Sequence, residues 1–297
     1  MKQVSRYLIS TAIISLSLNI IAPVWSNSVK TKIEVDRRDL DNQKKFTEVM
    51  QEVLKSNLSS RSLDEIIQQV AGKFVGAEYQ SGLLDRTDRE TLLITFDRFD
   101  CFIFIETVLA IARNIALEDY DYQNFKKNII NQRYKNGNLD GYCSRLHYFS
   151  DWIDSNENQK NLKNITADLG GLKLDKDLNF MSNHRDRYPK MLENDANYDC
   201  ILEMEAKLDR LDIYYIPTKN IEKIYSKLQS GDVIGVATNI SGLDVTHTGF
   251  VYSHNDRKVG FIHASPMAKV TISPDLFQYI IGVQNAIGII VARPTLE

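Results

Sequence analysis

The segment at residues 95–113 constrains the fold more than any other part of this 297-residue chain. Within it, residues 102–112 include only two polar side chains, a pattern typical of a helix that is buried on most sides. Asp97 or Asp100 can supply the side chain that caps the start of this helix. The segment therefore predicts a buried helix with the thiol of Cys101 in its first turn.

Cys101 is a candidate nucleophile because of this position. The N–H groups and the dipole at a helix start favour a thiolate and lower the cysteine pKa from its free value of about 8.5. The neighbouring Asp100 acts in the opposite direction, so a histidine from elsewhere in the chain is needed to generate the thiolate. The alternative interpretation is an inert core cysteine, the usual fate of a free thiol. The motif taken alone favours that alternative.

The N-terminal segment at residues 1–26 has the pattern of a secretory signal peptide. Lys2 and Arg6 precede an apolar run at residues 7–21, and the small residue Ser26 marks a cleavage site. The run is shorter than the roughly 20 residues that a membrane-spanning helix needs, so an uncleaved anchor is the minor alternative. Removing the segment takes away two basic and no acidic residues, which changes the net charge from −3 to −5. We expect a secreted or periplasmic protein with no stable membrane insertion and no nucleic-acid partner.

The cysteine count also fits an oxidising compartment. Three cysteines, Cys101, Cys143 and Cys200, leave at least one thiol unpaired within the chain. A disulfide between Cys143 and Cys200, with Cys101 free, would satisfy this count. The sequence contains no CxxC, HxxxH or HxH pair, so we predict no zinc site and no cofactor.

Helical patterns dominate the chain before residue 213. Residues 27–60 predict an N-terminal helical extension, and residues 62–65 resemble a capping box that opens a second helix. We place the catalytic domain at residues 61–297. The apolar face of the extension is predicted to consist of Phe46, Val49, Met50, Val53 and Leu54.

Short β-type runs dominate the remainder of the chain and predict an antiparallel sheet. Helices followed by strands indicate an α+β fold, with the helix that carries Cys101 packed against the sheet. The predicted strands are residues 213–217, 232–238, 246–253, 259–263, 269–272 and 288–292.

Two histidines in this sheet can complete a catalytic site. His247 lies near the start of one predicted strand and His263 ends the next, so pairing of these strands would bring the imidazoles to one end of the sheet. A thiol at a helix start, a histidine and a third polar residue together favour nucleophilic acyl transfer. Either histidine alone is better explained as a hydrogen-bonded core residue. The combination favours catalysis.

Five motifs, which follow one another along the chain, resemble those of the N-acetylmuramoyl-L-alanine amidase-like family once labelled DUF1460. This family belongs to the NlpC/P60 superfamily of papain-like cysteine peptidases and amidases. The resemblance covers roughly residues 65–293. Its most specific part is Ser-Arg-Leu-His-Tyr-Phe-Ser-Asp-Trp-Ile at residues 144–153. The others are Phe-Asp-Cys-x-x-Phe-x-Glu at 99–106, Ser-Gly-Asp-Val-Ile at 230–234, Gly-Leu-Asp-Val-Thr-His-Thr-Gly at 242–249 and His-Ala-Ser at 263–265.

The resemblance implies a papain-like α+β fold and a metal-independent cysteine hydrolase. Cys101 would be the nucleophile, His247 the general base and acid, and His263 the residue that orients His247. The backbone N–H of Cys101 would contribute to an oxyanion hole. The implied substrate is peptidoglycan or a muropeptide, cut at the amide between N-acetylmuramic acid and L-alanine.

Substrate-binding residues are assigned with the help of the same motifs. Arg145, His147, Tyr148 and Asp151 would line the cleft, and Asp244 in the motif around His247 is assigned to substrate binding as well. Arg145 is a natural partner for a carboxylate of the stem peptide or lactyl group.

Phe102 departs from the family pattern, in which a small or hydroxyl residue follows the nucleophile. Its ring would either narrow the cleft or pack into the core.

Three alternative functions remain open at the level of the sequence. The same fold serves γ-D-glutamyl endopeptidases, which cut within the stem peptide. A non-catalytic peptidoglycan-binding module could keep the cleft without turnover, although all three catalytic residue types are present. An acyltransferase would need an apolar acyl channel, and no segment demands one. The sequence specifies no oligomeric state.

Overall fold

The computed structural model describes residues 25–254, 258–267 and 269–296. Contacts divide the chain into two compact units, Met1–Leu40 and Asp41–Glu297. Residues 1–24 of the predicted signal peptide lie outside the described residues. The larger unit contains the sheet and every candidate site residue. It also includes residues 41–60, so the division falls inside the predicted N-terminal extension.

The described residues form nine α-helices, and the longest begins at Trp25. In chain order the helices are α1 (Trp25–Lys55), α2 (Leu63–Lys73), α3 (Cys101–Ala116), α4 (Tyr122–Arg133), α5 (Phe149–Asn158), α6 (Phe180–Asn183), α7 (Pro189–Leu192), α8 (Asp195–Leu208) and α9 (Leu276–Ile281). In this part of the chain, no helix is both long enough and apolar enough to cross a membrane.

The strands fall into a two-stranded parallel pair and one larger antiparallel sheet. They are β1 (Glu78–Tyr79), β2 (Arg98–Phe99), β3 (Leu162–Asn164), β4 (Leu172–Lys173), β5 (Tyr214–Pro217), β6 (Val233–Thr238), β7 (Val245–Ser253), β8 (Val259–Ala264), β9 (Val270–Ser273) and β10 (Ala286–Pro294). The large sheet has the order β4-β5-β10-β6-β7-β8-β9, and β3 also pairs with β10. The sheet thus places β7, β8 and β9 side by side.

The sheet is covered on both faces because alternate residues of its central strands point to opposite sides. All six residues of β6 are buried. On one face, Val233 and Ala237 join the core that contains α2, α3, α4 and α5. On the other face, Ile234 and Val236 pack in a second core with residues of α9. The central strands are therefore held rigidly between two layers.

Helix α3 is fixed against this sheet by its apolar composition. Eleven of its sixteen residues are buried. The ring of Phe104 meets the ring of Phe250 on β7 edge to face, with 5.8 Å between centroids. This packing of α3 on β7 sets where the first residue of the helix, Cys101, meets the strand that carries His247.

The α+β architecture predicted from the sequence is confirmed. Each of the six predicted strands is present within two residues of its predicted limits at either end, and α3 begins at Cys101 with Asp100 as its N-cap. The predicted apolar face of α1 is wrong at Leu54, which is 56% exposed, because the buried stripe ends at Val53. Ser62 precedes α2 as expected, but its side chain makes no capping hydrogen bond.

Candidate active site

Cys101 occupies the first position of α3. The Asp100 side chain accepts a hydrogen bond of 2.8 Å from the backbone N–H of Ile103, which caps the helix. Cys101 is the free cysteine of the described chain, since Cys143 and Cys200 form a disulfide with their Cα atoms 5.9 Å apart. The single unpaired thiol of the protein is therefore the one at the helix start.

The surroundings of the sulfur keep this thiol protonated at neutral pH. Burial of the sulfur and the negative charge of Asp100 raise the pKa of Cys101 to about 12. Hydrogen bonds from the backbone N–H groups of Thr248, Cys101 and Phe102 lower this pKa but do not outweigh the first two effects. The N–H groups at the helix start lower the pKa and Asp100 raises it, both as expected, but burial makes the net shift upward. For the thiol to act as a nucleophile at neutral pH, a base must take its proton.

A pair of histidines on β7 and β8 can provide that base, since Thr248, whose backbone N–H contacts the sulfur, directly follows His247 in β7. His247 Nε2 is 2.8 Å from His263 Nδ1, and the two rings are nearly perpendicular at 86°. Burial lowers the pKa of His247 to about 4, and burial together with the charge of His247 lowers the pKa of His263 to about 3. Both rings are therefore neutral at neutral pH, and Nδ1 of His247 is the nitrogen left to accept a proton.

The local geometry of β7 determines where His247 points. The pairing of β6 with β7 shifts register between Gly235 and Ala237, opposite the segment that contains His247, and such bulges re-aim side chains. The next residue, Thr248, turns its backbone N–H to the sulfur of Cys101. The bulged strand thus brings the thiol next to the residue that follows His247.

Close packing of β7 on β8 holds the two histidines together. A Cβ atom at Gly249 would lie 2.5 Å from the carbonyl oxygen of Ile262 and 2.8 Å from Cβ of His263. Such distances are too short for any side chain, so this position requires glycine. The glycine of the sequence His-Thr-Gly at residues 247–249 therefore allows His263 on β8 to lie close to β7.

Two tyrosines face the thiol from other elements. The pKa values of Tyr79 on β1 and Tyr279 on α9 are both raised to about 12, first by burial and then by the nearby charge of Cys101. The ring of Tyr279 also lies 4.6 Å from the ring of His263, centroid to centroid. Sequence reasoning missed both tyrosines, since neither belongs to a motif with a chemical signature.

A cavity of about 220 Å³ opens at the start of α3. Of the predicted substrate-binding residues, Arg145, His147 and Tyr148 line it. The full lining consists of Gly82, Leu84, Asp85, Asp100, Phe102, Glu106, Arg133, Arg145, Leu146, His147, Tyr148, Met181, Tyr188 and Leu243.

Arg145 is the strongest candidate for a ligand contact in this cavity. Its guanidinium is only 6% exposed and forms an ion pair with Asp85 at 2.5 Å, with Glu90 at 3.7 Å from its second terminal nitrogen. Its Nε is buried without a hydrogen-bond partner. A buried donor of this kind is costly unless a ligand satisfies it.

His147 and Tyr148 are held by the protein more firmly. His147 Nε2 lies 2.9 Å from the carbonyl oxygen of Tyr142, and burial and the charge of Arg145 lower the pKa of His147 well below its usual value. The Tyr148 hydroxyl donates to Glu205 at 2.7 Å and accepts from the backbone N–H of Met181 at 3.0 Å. These two residues shape the wall of the cavity.

Asp151 and Asp244 are not brought to this cavity. Asp151 lines a separate cavity of about 340 Å³ together with Lys135 and Lys207, and burial raises its pKa to about 6. Asp244 is 1% exposed and accepts hydrogen bonds of 2.7 Å from both the backbone N–H and the hydroxyl of Ser150. Helix α5 begins at Phe149, which puts Asp151 in its first turn.

Phe102 takes both of the roles considered for it. Its ring packs edge to face on Phe149 and Trp152, with centroid distances of 6.0 and 6.3 Å, and it also lines the cavity. Beneath it, a buried ion pair joins Arg133 Nε to Glu106 at 2.6 Å. Sequence reasoning did not find this pair, although a glutamate inside an apolar helix is a signal of a buried partner.

No group of three His, Cys, Asp or Glu side chains in the described ranges is arranged to hold a metal ion. The chemical groups assembled at the site are instead a thiol, an imidazole pair and backbone N–H donors. This set of groups can carry out nucleophilic acyl transfer.

The chain is similar to known proteins in both sequence and fold. The sequence model of the AmiA-like, N-acetylmuramoyl-L-alanine amidase-like family matches residues 69–289. A crystal structure of an N-acetylmuramoyl-L-alanine amidase from Bacteroides uniformis superimposes with a TM-score of 0.72 at 28% identity, covering 78% of this chain and 99% of the amidase. No curated protein sequence matches the chain.

Two further solved structures share the fold. A Bacteroides fragilis protein provisionally called a xylanase has a TM-score of 0.67 and 31% identity, over 76% of this chain and 99% of its own. A Legionella pneumophila protein assigned to DUF1460 has a TM-score of 0.63 and 23% identity, over 87% of this chain and 95% of its own, and supports the fold alone. Because the family model matches well over half of its residues, the chain belongs to the N-acetylmuramoyl-L-alanine amidase-like family and is an enzyme of the amidase-like type.

Proposed function

We propose that this cell-wall amidase hydrolyses the amide between N-acetylmuramic acid and L-alanine in peptidoglycan or muropeptides, through an acyl-enzyme at Cys101. The observation that carries the proposal is the position of the free thiol at the start of α3, beside the backbone N–H of Thr248, which directly follows His247 of the His247–His263 pair. Membership of the amidase-like family supports the choice of substrate. The proposal includes a relationship of this chain to the papain-like NlpC/P60 superfamily.

In the first half of the reaction, Cys101 Sγ attacks the carbonyl carbon of the lactyl group while its proton passes to His247 Nδ1. The backbone N–H of Cys101 would stabilise the negative charge that develops on the carbonyl oxygen. The C–N bond then breaks as His247 gives its proton to the leaving nitrogen, which departs as the amino group of L-alanine. The muramoyl group remains as a thioester on Cys101.

In the second half, His247 accepts a proton from a water molecule whose oxygen attacks the thioester carbonyl. The C–S bond breaks, the sulfur recovers its proton from His247, and the lactyl carboxylic acid is released. His263 orients His247 in both halves. Because the resting thiol is protonated, the base acts at the moment of attack, and a stable thiolate–imidazolium pair is not required beforehand.

Mass spectrometry of purified muropeptides tests this proposal. We expect the unmutated protein to release an intact stem peptide that begins with L-alanine, and Cys101→Ser to release none. EDTA should leave the activity unchanged and iodoacetamide should abolish it. A product in which the sugar retains L-Ala-D-Glu would instead indicate a γ-D-glutamyl endopeptidase, and absence of any product would refute the hydrolase.

Arg145 is proposed to bind a carboxylate or carbonyl oxygen of the substrate through its buried Nε. We expect Arg145→Lys, which keeps the charge but removes Nε–H, to raise KM for muropeptides about tenfold with a smaller effect on kcat. Lys163→Ala is a matched control, because its ion pair with Asp168 lies on the surface with both partners more than 60% exposed. An unchanged KM in Arg145→Lys would exclude this contact.

The proposed site of action is outside the cytoplasm, in the periplasm or secreted. The amidase-like family implies a cell-envelope location, and the Cys143–Cys200 disulfide is a bond that persists in oxidising compartments. Cell fractionation of the full chain and of a chain lacking residues 1–26 tests this. The full chain should be found outside the cytoplasm in its oxidised form, and the shortened chain should remain inside.

A further inference from the structure

The second ring nitrogen of His263 has a partner that no catalytic scheme above uses. His263 Nε2 lies 3.3 Å from the hydroxyl oxygen of Ser273, at the end of β9. In the pairing of β8 with β9, Ser273 lies opposite Phe261, two residues before His263 and on the same face of the sheet. Adjacent strands β7, β8 and β9 therefore contribute one residue each to a continuous chain from His247 through His263 to Ser273.

The proton arrangement in this chain decides whether His247 can act as a base. When His247 accepts the Cys101 proton at Nδ1, its Nε2 carries a hydrogen that must be donated to His263 Nδ1 across 2.8 Å. His263 can accept there only if its own proton is on Nε2. That proton then needs an acceptor, and the Ser273 hydroxyl oxygen is placed to receive it. The opposite tautomer of His263 would point two N–H groups at each other.

The environment of His263 makes this acceptor important. The ring is 1% exposed. Phe261 stacks on it with 4.8 Å between centroids, and Tyr279 lies at 4.6 Å. A buried N–H without an acceptor would be costly in such surroundings. The titratable groups around the histidine pair are the Cys101 thiol on α3, Tyr279 on α9 and, near the thiol, Tyr79 on β1 and Asp100.

We propose that Ser273 is a positioning residue that accepts the Nε2 proton of His263 and so holds His247 in its basic tautomer. This inference rests on the proposed roles of Cys101 and His247. Ser273 becomes the fourth residue in the series Cys101, His247, His263 and Ser273, and it does not contact the substrate. Ser273 acts only through His263, and its effect is largest when His247 is positively charged.

The first measurement is of protonation and needs no substrate. Nitrogen-15 NMR of histidine-labelled protein should show His263 with its proton on Nε2 in the unmutated chain and in Ser273→Thr, which keeps the hydroxyl. In Ser273→Ala this preference should be lost. A proton on Nδ1 of His263 in the unmutated protein would overturn the proposal, whatever the variants do.

The second measurement is the rate at which iodoacetamide alkylates Cys101 at neutral pH. The sulfur forms a bond to the methylene carbon, iodide leaves, and His247 takes the thiol proton, so the rate reports the strength of the base. We expect Ser273→Ala to react about tenfold more slowly, from the cost of one buried unsatisfied donor, and Ser273→Thr to recover most of the rate. Thr271→Val, on the same strand and face as Ser273, should react at the unmutated rate.

These outcomes separate this proposal from the proposed function. If the chain cleaved no muropeptide but its alkylation rate depended on the Ser273 hydroxyl, the substrate assignment would fail and this inference would stand. If Ser273→Ala alkylated at the unmutated rate, or if Thr271→Val were equally slow, Ser273 would have no positioning role. If Ser273→Ala fails to fold, two measurements still test the proposal. These are the tautomer of His263 in the unmutated protein and the alkylation rate of Cys101 in Ser273→Thr.

Discussion

At the start of α3, two opposed influences act on one sulfur atom. The backbone N–H groups of α3 and Thr248 favour a negative charge on Cys101, whereas burial and Asp100 disfavour it. The Asp100 side chain also caps the helix, so its removal would leave the backbone N–H of Ile103 without this hydrogen bond. The same residue therefore caps the helix that carries Cys101 and disfavours ionisation of the Cys101 thiol.

Asp100→Asn separates these two effects. Asparagine caps a helix about as well as aspartate, so the free energy of unfolding should change little, while loss of the negative charge should lower the pKa of Cys101. We expect alkylation of Cys101 at neutral pH to become about tenfold faster, equivalent to one pKa unit. Asp121→Asn is the matched control, since Asp121 caps α4 through a bond of 2.9 Å to Asn124 N. A slower reaction in Asp100→Asn would contradict this account.

The pH dependence of turnover should reflect the lowered pKa of His247. Burial disfavours the charged imidazole, so the ring stays neutral and basic until the pH falls towards about 4. We therefore expect kcat/KM to be lost only well below the usual histidine pKa of 6.5, with the thiol and imidazole titrating as a coupled pair. A pH–rate profile measures this directly. Loss of rate centred at 6.5 or above would show that His247 is not in the neutral, buried state described.

At the scale of secondary-structure elements, the approach of β7 to β8 is the feature on which the site depends. Gly249→Ala would place a Cβ atom 2.5 Å from a backbone oxygen of β8. We expect a loss of about 1–3 kcal/mol in the free energy of unfolding and a large loss of activity, because the strands must separate and move His263 away from His247.

Gly72→Ala on α2 provides the comparison for this change. A Cβ atom there would meet nothing within 4 Å, and alanine is the better helix former, so stability should rise slightly with no change in activity. Thermal unfolding and muropeptide assays of both variants measure the difference. Equal activities in Gly249→Ala and the unmutated protein would show that strand spacing does not control the histidine pair.

The same elements show how far the sequence alone could lead. The strands of His247 and His263 were predictable because β-branched and aromatic residues mark them and a short polar stretch of sequence separates them. The abrupt change from polar to apolar residues predicted an N-cap at Asp97 or Asp100, and the structure has it at Asp100. Some tertiary contacts were predictable, namely the pairing of the two histidine strands and the Cys143–Cys200 disulfide, whereas others were not. Asp244 turns inward to Ser150, 94 positions away in the sequence, and the desolvation that raises the Cys101 pKa depends on neighbours from several elements.

At the scale of the whole molecule, the disulfide ties the turn that precedes Arg145 to α8. Cys143 lies in the short turn before Arg145, and Cys200 lies on α8, 57 residues later. The double variant Cys143→Ser, Cys200→Ser should lose about 2–4 kcal/mol of unfolding free energy, because the unfolded chain regains the entropy of that loop. We expect KM to rise as well, since the turn before Arg145 loses its tether.

Thermal unfolding with and without a reductant tests this prediction. Reductant should lower the Tm of the unmutated protein to that of the double variant and should leave the double variant unchanged. If the two proteins unfolded at the same temperature without reductant, the disulfide would contribute nothing to stability. Muropeptide kinetics on the same samples would then show whether the tether affects KM independently.

The protonated state of Cys101 has a consequence for how the enzyme would tolerate oxidants in the cell envelope, the location proposed for it. Thiolates react with peroxides and with disulfides far faster than neutral thiols do. Cysteine that has been oxidised to the sulfonic acid is not reduced back. A thiol that stays protonated until a base takes its proton spends little time in the vulnerable form. In an oxidising envelope, the raised pKa of Cys101 would therefore slow oxidation of its sulfur.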